Sequence, residues 1–243
     1  MMTSCGSWVL VTSDGGTFMD REVYGSLELW KPALTGEFKM VRNVRCTVVC
    51  PSVIRRVPGS FQDLREGLHD LDADVPLRAG DRVYVHYMAL EPDDEARLAS
   101  GEEQRSFVWE GQTYWRIPYS EVIAVERDGE LVPLNGNVLV QPLRMVAVVL
   151  GVEHDVSMGI ELGLCVGTSG SLTYDGGAVA PGMVIAWPRG VCAVHNFHGR
   201  GEKVRHLGVI GVEDVVAVVE GAEVDGDRVI VGKEALFHQK DVI

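Results

Sequence analysis

The feature that most constrains this chain is a repeat written in β-strand language. Gly6-Ser-Trp-Val-Leu-Val11 returns as Asn135-Gly-Asn-Val-Leu-Val140. Gly80-Asp-Arg-Val-Tyr-Val-His-Tyr87 is followed by Trp115-Arg-Ile-Pro-Tyr-Ser-Glu-Val-Ile-Ala-Val-Glu126. In the same order, Pro181-Gly-Met-Val-Ile-Ala-Trp187 is followed by His206-Leu-Gly-Val-Ile-Gly-Val-Glu-Asp-Val-Val-Ala-Val-Val-Glu220. Each copy runs from a Val-Leu-Val strand through a long variable segment to a Gly- or Pro-led strand, and closes on an acidic turn with a Val-rich strand. The runs are short and β-branched, and Gly, Pro, Asn or Asp punctuates them, as in Asp14-Gly-Gly16, Asn135-Gly136 and Asp225-Gly226. Such runs read as strands and hairpins. Only Gln62–Leu71 and Pro92–Gln104 could be helical; the second opens on Pro and acids and closes on Gly, as a short inserted helix or an ordered loop. With no alternation of strand and helix, the fold class is all-β with little helix.

The repeat divides the 243 residues into a first domain over 1–130, a second over 131–220 and a C-terminal extension over 221–243. The link Arg127–Leu134 is short, so the two domains should lie side by side. Hydrophobic residues make up 46% of the chain and charged residues 23%, which suits a packed domain and excludes wholesale disorder. The net charge of −13 argues against nucleic acid and against anionic membranes as partners. No run of about 18 apolar residues offers a membrane-spanning helix. The first residues carry no basic region followed by an apolar one, so no signal peptide is expected. Five cysteines are an odd number in a chain too long to need staples, which points to reduced thiols and a cytoplasmic location.

Each copy resembles a subunit of the GroES-type co-chaperonin family, the small β-barrel that caps a chaperonin. Pro133-Leu-Asn-Gly-Asn-Val-Leu-Val140 is similar to the family's opening turn and strand, and Leu164-Cys-Val-Gly167-Thr-Ser-Gly170 to the strand that follows the mobile loop. Gly80-Asp-Arg-Val-Tyr-Val85 and Pro181-Gly-Met-Val-Ile-Ala186 resemble the Gly-Asp-led strand. Asp214-Val-Val-Ala-Val-Val-Glu220 and the shorter Glu121-Val-Ile-Ala-Val-Glu126 resemble the closing strand. The likeness spans about residues 6–220. It implies two tandem GroES-like, partly open β-barrels with long loops. It further implies a non-enzymatic cap that binds a chaperonin ring and encloses unfolded protein substrate, with ATP bound by the partner, in a homo-oligomeric ring. No cofactor or metal is implied.

The family's working part is an apolar triplet on a mobile loop. The resemblance places the loops at about 12–40 and 143–162, a roof-like segment at about 51–79 and an insertion at about 90–106. The candidate contacts are Gly25, Leu27, Leu29 and Trp30 in the first loop, and Gly159, Ile160 and Leu162 in the second. Both triplets carry Glu at the centre, a departure from the family pattern. In an extended segment, residues i and i+2 share a face, so Leu27/Leu29 and Ile160/Leu162 should point one way with the Glu toward solvent.

Other chemistry fits poorly. His69–Asp81 starts like a calcium loop, but Val75 stands where Gly is needed and Pro76 interrupts it. Cys192-x-x-His195-x-x-His198 lacks a nearby fourth ligand, with only distant Cys165 or His206 to complete it, so exposed hairpin histidines are expected. Cys46 and Cys50 share a strand face and should be buried free thiols. Trp109, Trp115, Trp187 and Tyr174 suit a core or an interface. No phosphate-binding loop, nucleophile elbow or zinc-protease motif occurs. The rival reading is a structural or assembly protein, such as a viral decoration or tail component, built on the same barrel without chaperonin binding.

Overall fold

The computed structural model describes residues 8–13, 19–24, 27–32, 40–51, 76–90, 105–156, 159–170, 172–174, 177–197 and 205–231. The chain is all-β, as expected. The strands are β1 (Trp8–Ser13), β2 (Met19–Tyr24), β3 (Leu27–Pro32), β4 (Met40–Cys50), β5 (Arg82–His86), β6 (Ser106–Trp109), β7 (Gln112–Pro118), β8 (Val122–Arg127), β9 (Glu130–Pro133) and β10 (Asn137–Val149). They continue as β11 (Val152–Asp155), β12 (Ile160–Thr168), β13 (Thr173–Tyr174), β14 (Gly177–Ala178), β15 (Val184–Pro188), β16 (Ala193–Phe197), β17 (Arg205–Gly211), β18 (Ala217–Val218), β19 (Glu223–Asp225) and β20 (Arg228–Val231). Among the described residues, helical backbone is confined to short 3-10 turns at Tyr87–Leu90, Tyr119–Glu121 and Val212–Asp214. Both candidate helices, Gln62–Leu71 and Pro92–Gln104, lie outside the described residues.

The repeat in sequence is a repeat in strand pairing. In the first unit the order is β8-β5-β4-β1-β7-β6; in the second it is β18-β15-β12-β10-β17-β16. Every neighbouring pair within each unit is antiparallel. Register repeats as well: Val9 faces Ile117 as Val138 faces Ile210. An irregularity falls between Leu10 and Val11 in one unit and between Leu139 and Val140 in the other, at the same place in the Val-Leu-Val motif. The glycine before β5 and β15 has a structural task. Gly80 and Gly182 adopt φ of +89° and +90°, a region that strains any residue with a Cβ. Their N–H groups donate to Val48 O at 2.7 Å and to Cys165 O at 2.8 Å. The return bonds, Val48 N–H to Asp81 O and Cys165 N–H to Met183 O, are both 2.8 Å.

Each unit has an interior core built from the inward positions of these strands. In the first it holds Val9, Val11, Val48, Val83 and Ile117; in the second, Val138, Val140, Cys165, Ile185 and Ile210 occupy the matching places. The large indole comes from different strands. Trp115 on β7 lies opposite Val11, but its counterpart opposite Val140 is Gly208. The second core is filled instead by Trp187 on β15, where the first unit has Val85. Any Cβ on Gly208 would collide with Cys192 Sγ and Val140 Cγ2. The swap of one large and one small side chain keeps the core volume filled.

The units are joined by a third cluster and by main chain. Tyr84, Ile123, Ala124 and Leu131 pack against Leu139, Phe197 and Leu207 of the second unit. β16 runs parallel to the start of β4, with His195 beside Val41. The link turns at Asp128-Gly129 and returns as β9 alongside β8. Residues expected as a C-terminal extension are woven into the second unit as far as residue 231. β20 pairs in parallel with β10, and Val229 is buried beside Leu162 and Ala186. Among the described residues neither unit closes on itself: β8 and β6 do not pair, nor do β18 and β16.

Candidate functional site: the projecting hairpins

The first expected binding segment forms a hairpin in which β3 pairs with β2, placing Leu27 opposite Tyr24, Leu29 opposite Glu22 and Trp30 opposite Arg21. Gly25 lies outside the described residues.

The second segment differs from a free loop. Gly159 stands at the foot of β12 and accepts Arg189 N–H at 3.0 Å. Ile160 and Leu162 share a face, as expected, but that face belongs to a core. Leu162 is buried with Met145, Val184 and Ala186, and Ile160 packs at the margin of the same cluster. β12 is held by β10 on one side and β15 on the other. Glu161 does not point to solvent; its carboxylate accepts the Trp187 indole N–H at 2.9 Å. A buried indole needs an acceptor, and that requirement places an acid between two apolar residues.

What the segment 143–162 presents outward is the β10–β11 hairpin. Val149 pairs with Val152 around the two-residue turn Leu150-Gly151, with φ of +52° and +78°. This signature of a tight hairpin normally calls for Asn or Asp at the first position. A branched side chain there costs about 1–2 kcal/mol from Cβ sterics. Leu150 is also 100% exposed, between exposed Val148 and Val152. Neither backbone preference nor burial accounts for a leucine at this point. The stem below is braced by Arg144 to Asp155 at 2.6 Å, by Arg228 to Glu153, and by β20. Because Leu-Gly is a poor turn signal, Val-Val-Leu-Gly-Val is not legible as a hairpin tip from sequence.

At the foot of the hairpin lies a cleft of ≈ 390 Å³ lined by Pro142, Leu143, Glu161, Trp187, Arg189 and Cys192. Burial, aided by the Glu161 charge, pushes the Cys192 thiol up to about 12. A thiol that resists ionisation is a poor nucleophile and a poor metal ligand at neutral pH. Three residues on, the expectation of exposed histidines fails at His195. It is 4% exposed, in the junction between the units, with its ring 6.3 Å from that of His86. Burial and then the neighbouring His86 push its pKa down to about 4. Burial also lowers that of His86. Cys192 thus faces the cleft while His195 faces the junction; His206 is exposed and His198 lies outside the described residues. No group of three or more potential metal ligands gathers among the described residues. Of the acidic stretch His69–Asp81, Asp81 is committed to structure, bonding Arg127 at 2.7 Å and the Arg78 N–H at 2.8 Å; residues 69–75 lie outside the described residues. Cys46 and Cys50 are buried and in no disulfide, as expected. Trp115 and Trp187 are core residues, whereas Trp109 is exposed. In comparison with known proteins, no family model matches the chain and no curated protein matches it.

Proposed function

We propose that the chain is a non-enzymatic, co-chaperonin-like cap, built as two tandem GroES-like partly open barrels, which docks on a chaperonin ring through its projecting hairpins and encloses folding substrate. ATP belongs to the chaperonin in this reading, the cap works as a homo-oligomeric ring, and the setting is the cytoplasm. One observation supports it: a fully exposed leucine, held in an unfavourable conformation at the tip of the β10–β11 hairpin, within the segment where the resemblance expects the second loop. An apolar tip of this size contributes a few kcal/mol at most, so a single contact is weak and reversible. Several tips on one ring bind together through multivalency, and each can still be released. A braced hairpin also loses less conformational freedom on docking than a free loop does.

The test is co-migration of the purified chain with a chaperonin ring in the presence of ATP. Binding should depend on nucleotide and fall on Leu150→Asp, and on Leu29→Asp if the first hairpin shares the work. Absence of binding with and without ATP would reject the capping function in favour of a structural assembly role. Undiminished binding by both variants would reject the hairpins as the contact.

A further inference from the structure

Strands β6 and β16 hold the same place in the two units, each beside the strand that pairs with a Val-Leu-Val motif. Register aligns them residue by residue. Trp109 pairs with Gln112, five residues before Ile117; Phe197 pairs with Arg205, five residues before Ile210. Val108 therefore corresponds to Asn196. In the second unit the far side of this strand is filled: Met40-Val41-Arg42 of β4 adds to β16 in parallel, with Arg42 beside Asn196. In the first unit it is open, since β6 pairs with no strand but β7 among the described residues.

The main chain of β6 is set for a similar addition. The hairpin turns through Glu110-Gly111, with φ of +50° and +78°, so Trp109 and Gln112 exchange the first pair of ladder bonds. Arg116 N–H donates to Arg105 O at 2.6 Å, which fixes the same parity at the other end. Arg105, Phe107 and Trp109 thus turn their main-chain groups toward β7, while those of Val108 turn to the open side. Val108 is 69% exposed. Ser106–Trp109 has no lysine, no proline and no break in register against β7, the devices that commonly protect an edge.

The side chains and charges beside this edge indicate what it would accept. Phe107 and Trp109 share a face; Phe107 stacks on Tyr114 with ring centroids 5.6 Å apart, and Trp109 is 54% exposed. The surrounding charge is acidic. Glu110 is exposed at the turn, and Glu102 and Glu103 precede the strand in sequence. The nearest cation, Arg105, is already engaged by Glu121 at 3.1 Å.

We infer that β6 binds an extended peptide of another protein, apolar with lysine or arginine beside the apolar residues, which adds to the open edge as Met40-Val41-Arg42 adds to β16. Strand addition draws affinity from main-chain hydrogen bonds and selectivity from alternate side chains. Val108 supplies the bonds, Phe107 and Trp109 supply the apolar surface, and the acids favour the basic residues. The occupant of the equivalent edge has this chemistry, two apolar residues followed by an arginine. The inference goes beyond the capping reading and does not depend on it.

Fluorescence anisotropy of the full chain with fluorescein-labelled Lys-Met-Val-Arg-Val-Lys, without any chaperonin, tests it. Binding should saturate with a dissociation constant on the order of 10–100 µM, as suits so small a strip. Val108→Pro removes an outward N–H and leaves the β6–β7 ladder intact, because an edge strand tolerates proline on its open side. Its circular dichroism should be unchanged and its affinity about tenfold lower or worse. Trp109→Ser should weaken binding by about tenfold. The same peptide N-methylated at alternate amides, in either register, should not bind, and one with glutamate in place of lysine and arginine should bind about tenfold more weakly or worse. Equal binding by the N-methylated peptides overturns the inference, and this arm decides the matter should Val108→Pro fail to fold. Absence of saturable binding also overturns it, as does undiminished binding by a folded Val108→Pro chain, or sedimentation showing that a second copy holds the edge and no peptide displaces it. Peptide binding without capture on a chaperonin would leave this inference standing and reject only the capping function.

Discussion

Consider the substitution His195→Gln. The imidazole lies 4% exposed in the junction, 6.3 Å from the His86 ring and 6.2 Å from that of Phe197. Its pKa falls from 6.5 to about 4, chiefly because burial disfavours the charged form. The sign follows from proton counting. Above pH 6.5 the imidazole is neutral in both folded and unfolded chains and contributes no pH dependence. As pH drops below 6.5 the unfolded chain takes up a proton that the folded chain refuses, so stability falls by about 1.4 kcal/mol per pH unit. The loss levels off near pH 4, where the folded imidazole also protonates, at a total of about 3 kcal/mol. The lowered pKa of His86 acts in the same direction. A glutamine amide takes up no proton in this range. Carboxylates titrate in both proteins and largely cancel in the difference. Urea unfolding of wild type and His195→Gln between about pH 7 and pH 4.5 should therefore show the wild type losing stability more steeply by roughly 2–3 kcal/mol. The variant can be less stable at neutral pH, since it gives up ring packing, without affecting the comparison of slopes. Parallel curves over that range would refute the argument, and with it the neutral imidazole in the junction.

Leu150→Asn should stabilise the protein by about 1 kcal/mol, read as a higher melting temperature, because Asn tolerates the left-handed turn that Leu resists; the same change should weaken capture on a chaperonin ring. Gly80→Ala and Gly182→Ala should each destabilise by about 1 kcal/mol or more in chemical denaturation, since both positions need φ near +90°; an effect at one and none at the other would break the equivalence of the two turns. Cys165 and Cys192, with thiols pushed up to about 11 and about 12, should react with a disulfide reagent near pH 8 about a hundredfold or more slowly than after unfolding. Rapid labelling of either in the native protein would count against its burial.

Much of the fold is legible in the sequence because its signals are local. Val9-Leu10-Val11 and Val138-Leu139-Val140 lie in short, continuous β-branched-rich apolar runs bounded by polar residues, the mark of a strand, and Gly80 and Gly182 mark turns that only glycine makes comfortably. The parts that are not legible depend on distant partners. Arg228–Val231 looks like a loose tail until its parallel pairing with β10 is seen, and no turn residue signals a parallel pair. Glu161 looks like a solvent residue because its partner, the Trp187 indole, lies on another strand. His195 reads as a surface hairpin residue because nothing in its neighbours foretells that β16 would pair with β4 and lie against His86 of β5. The candidate site divides in the same way. Within 143–162 the fully exposed residue is Leu150, whose turn chemistry is atypical, and not Ile160 or Leu162, whose strand is interior.

The exchange of indoles between the two interior cores has a consequence for how the chain reaches its native state. Two units with the same strand order and register invite cross-pairing during folding, in which β7 of one inserts beside β10 of the other. Here such an error is penalised at once. Trp115 beside Val140 would enter a space that Cys192 and Val140 already fill, while Gly208 beside Val11 would leave the other space empty. One wrong pairing thus creates an overpacked core, costing about 1–3 kcal/mol, together with a cavity costing about 3–5 kcal/mol. The divergence of the two copies at these positions works as an internal proofreading code, keeping each half of the molecule faithful to itself.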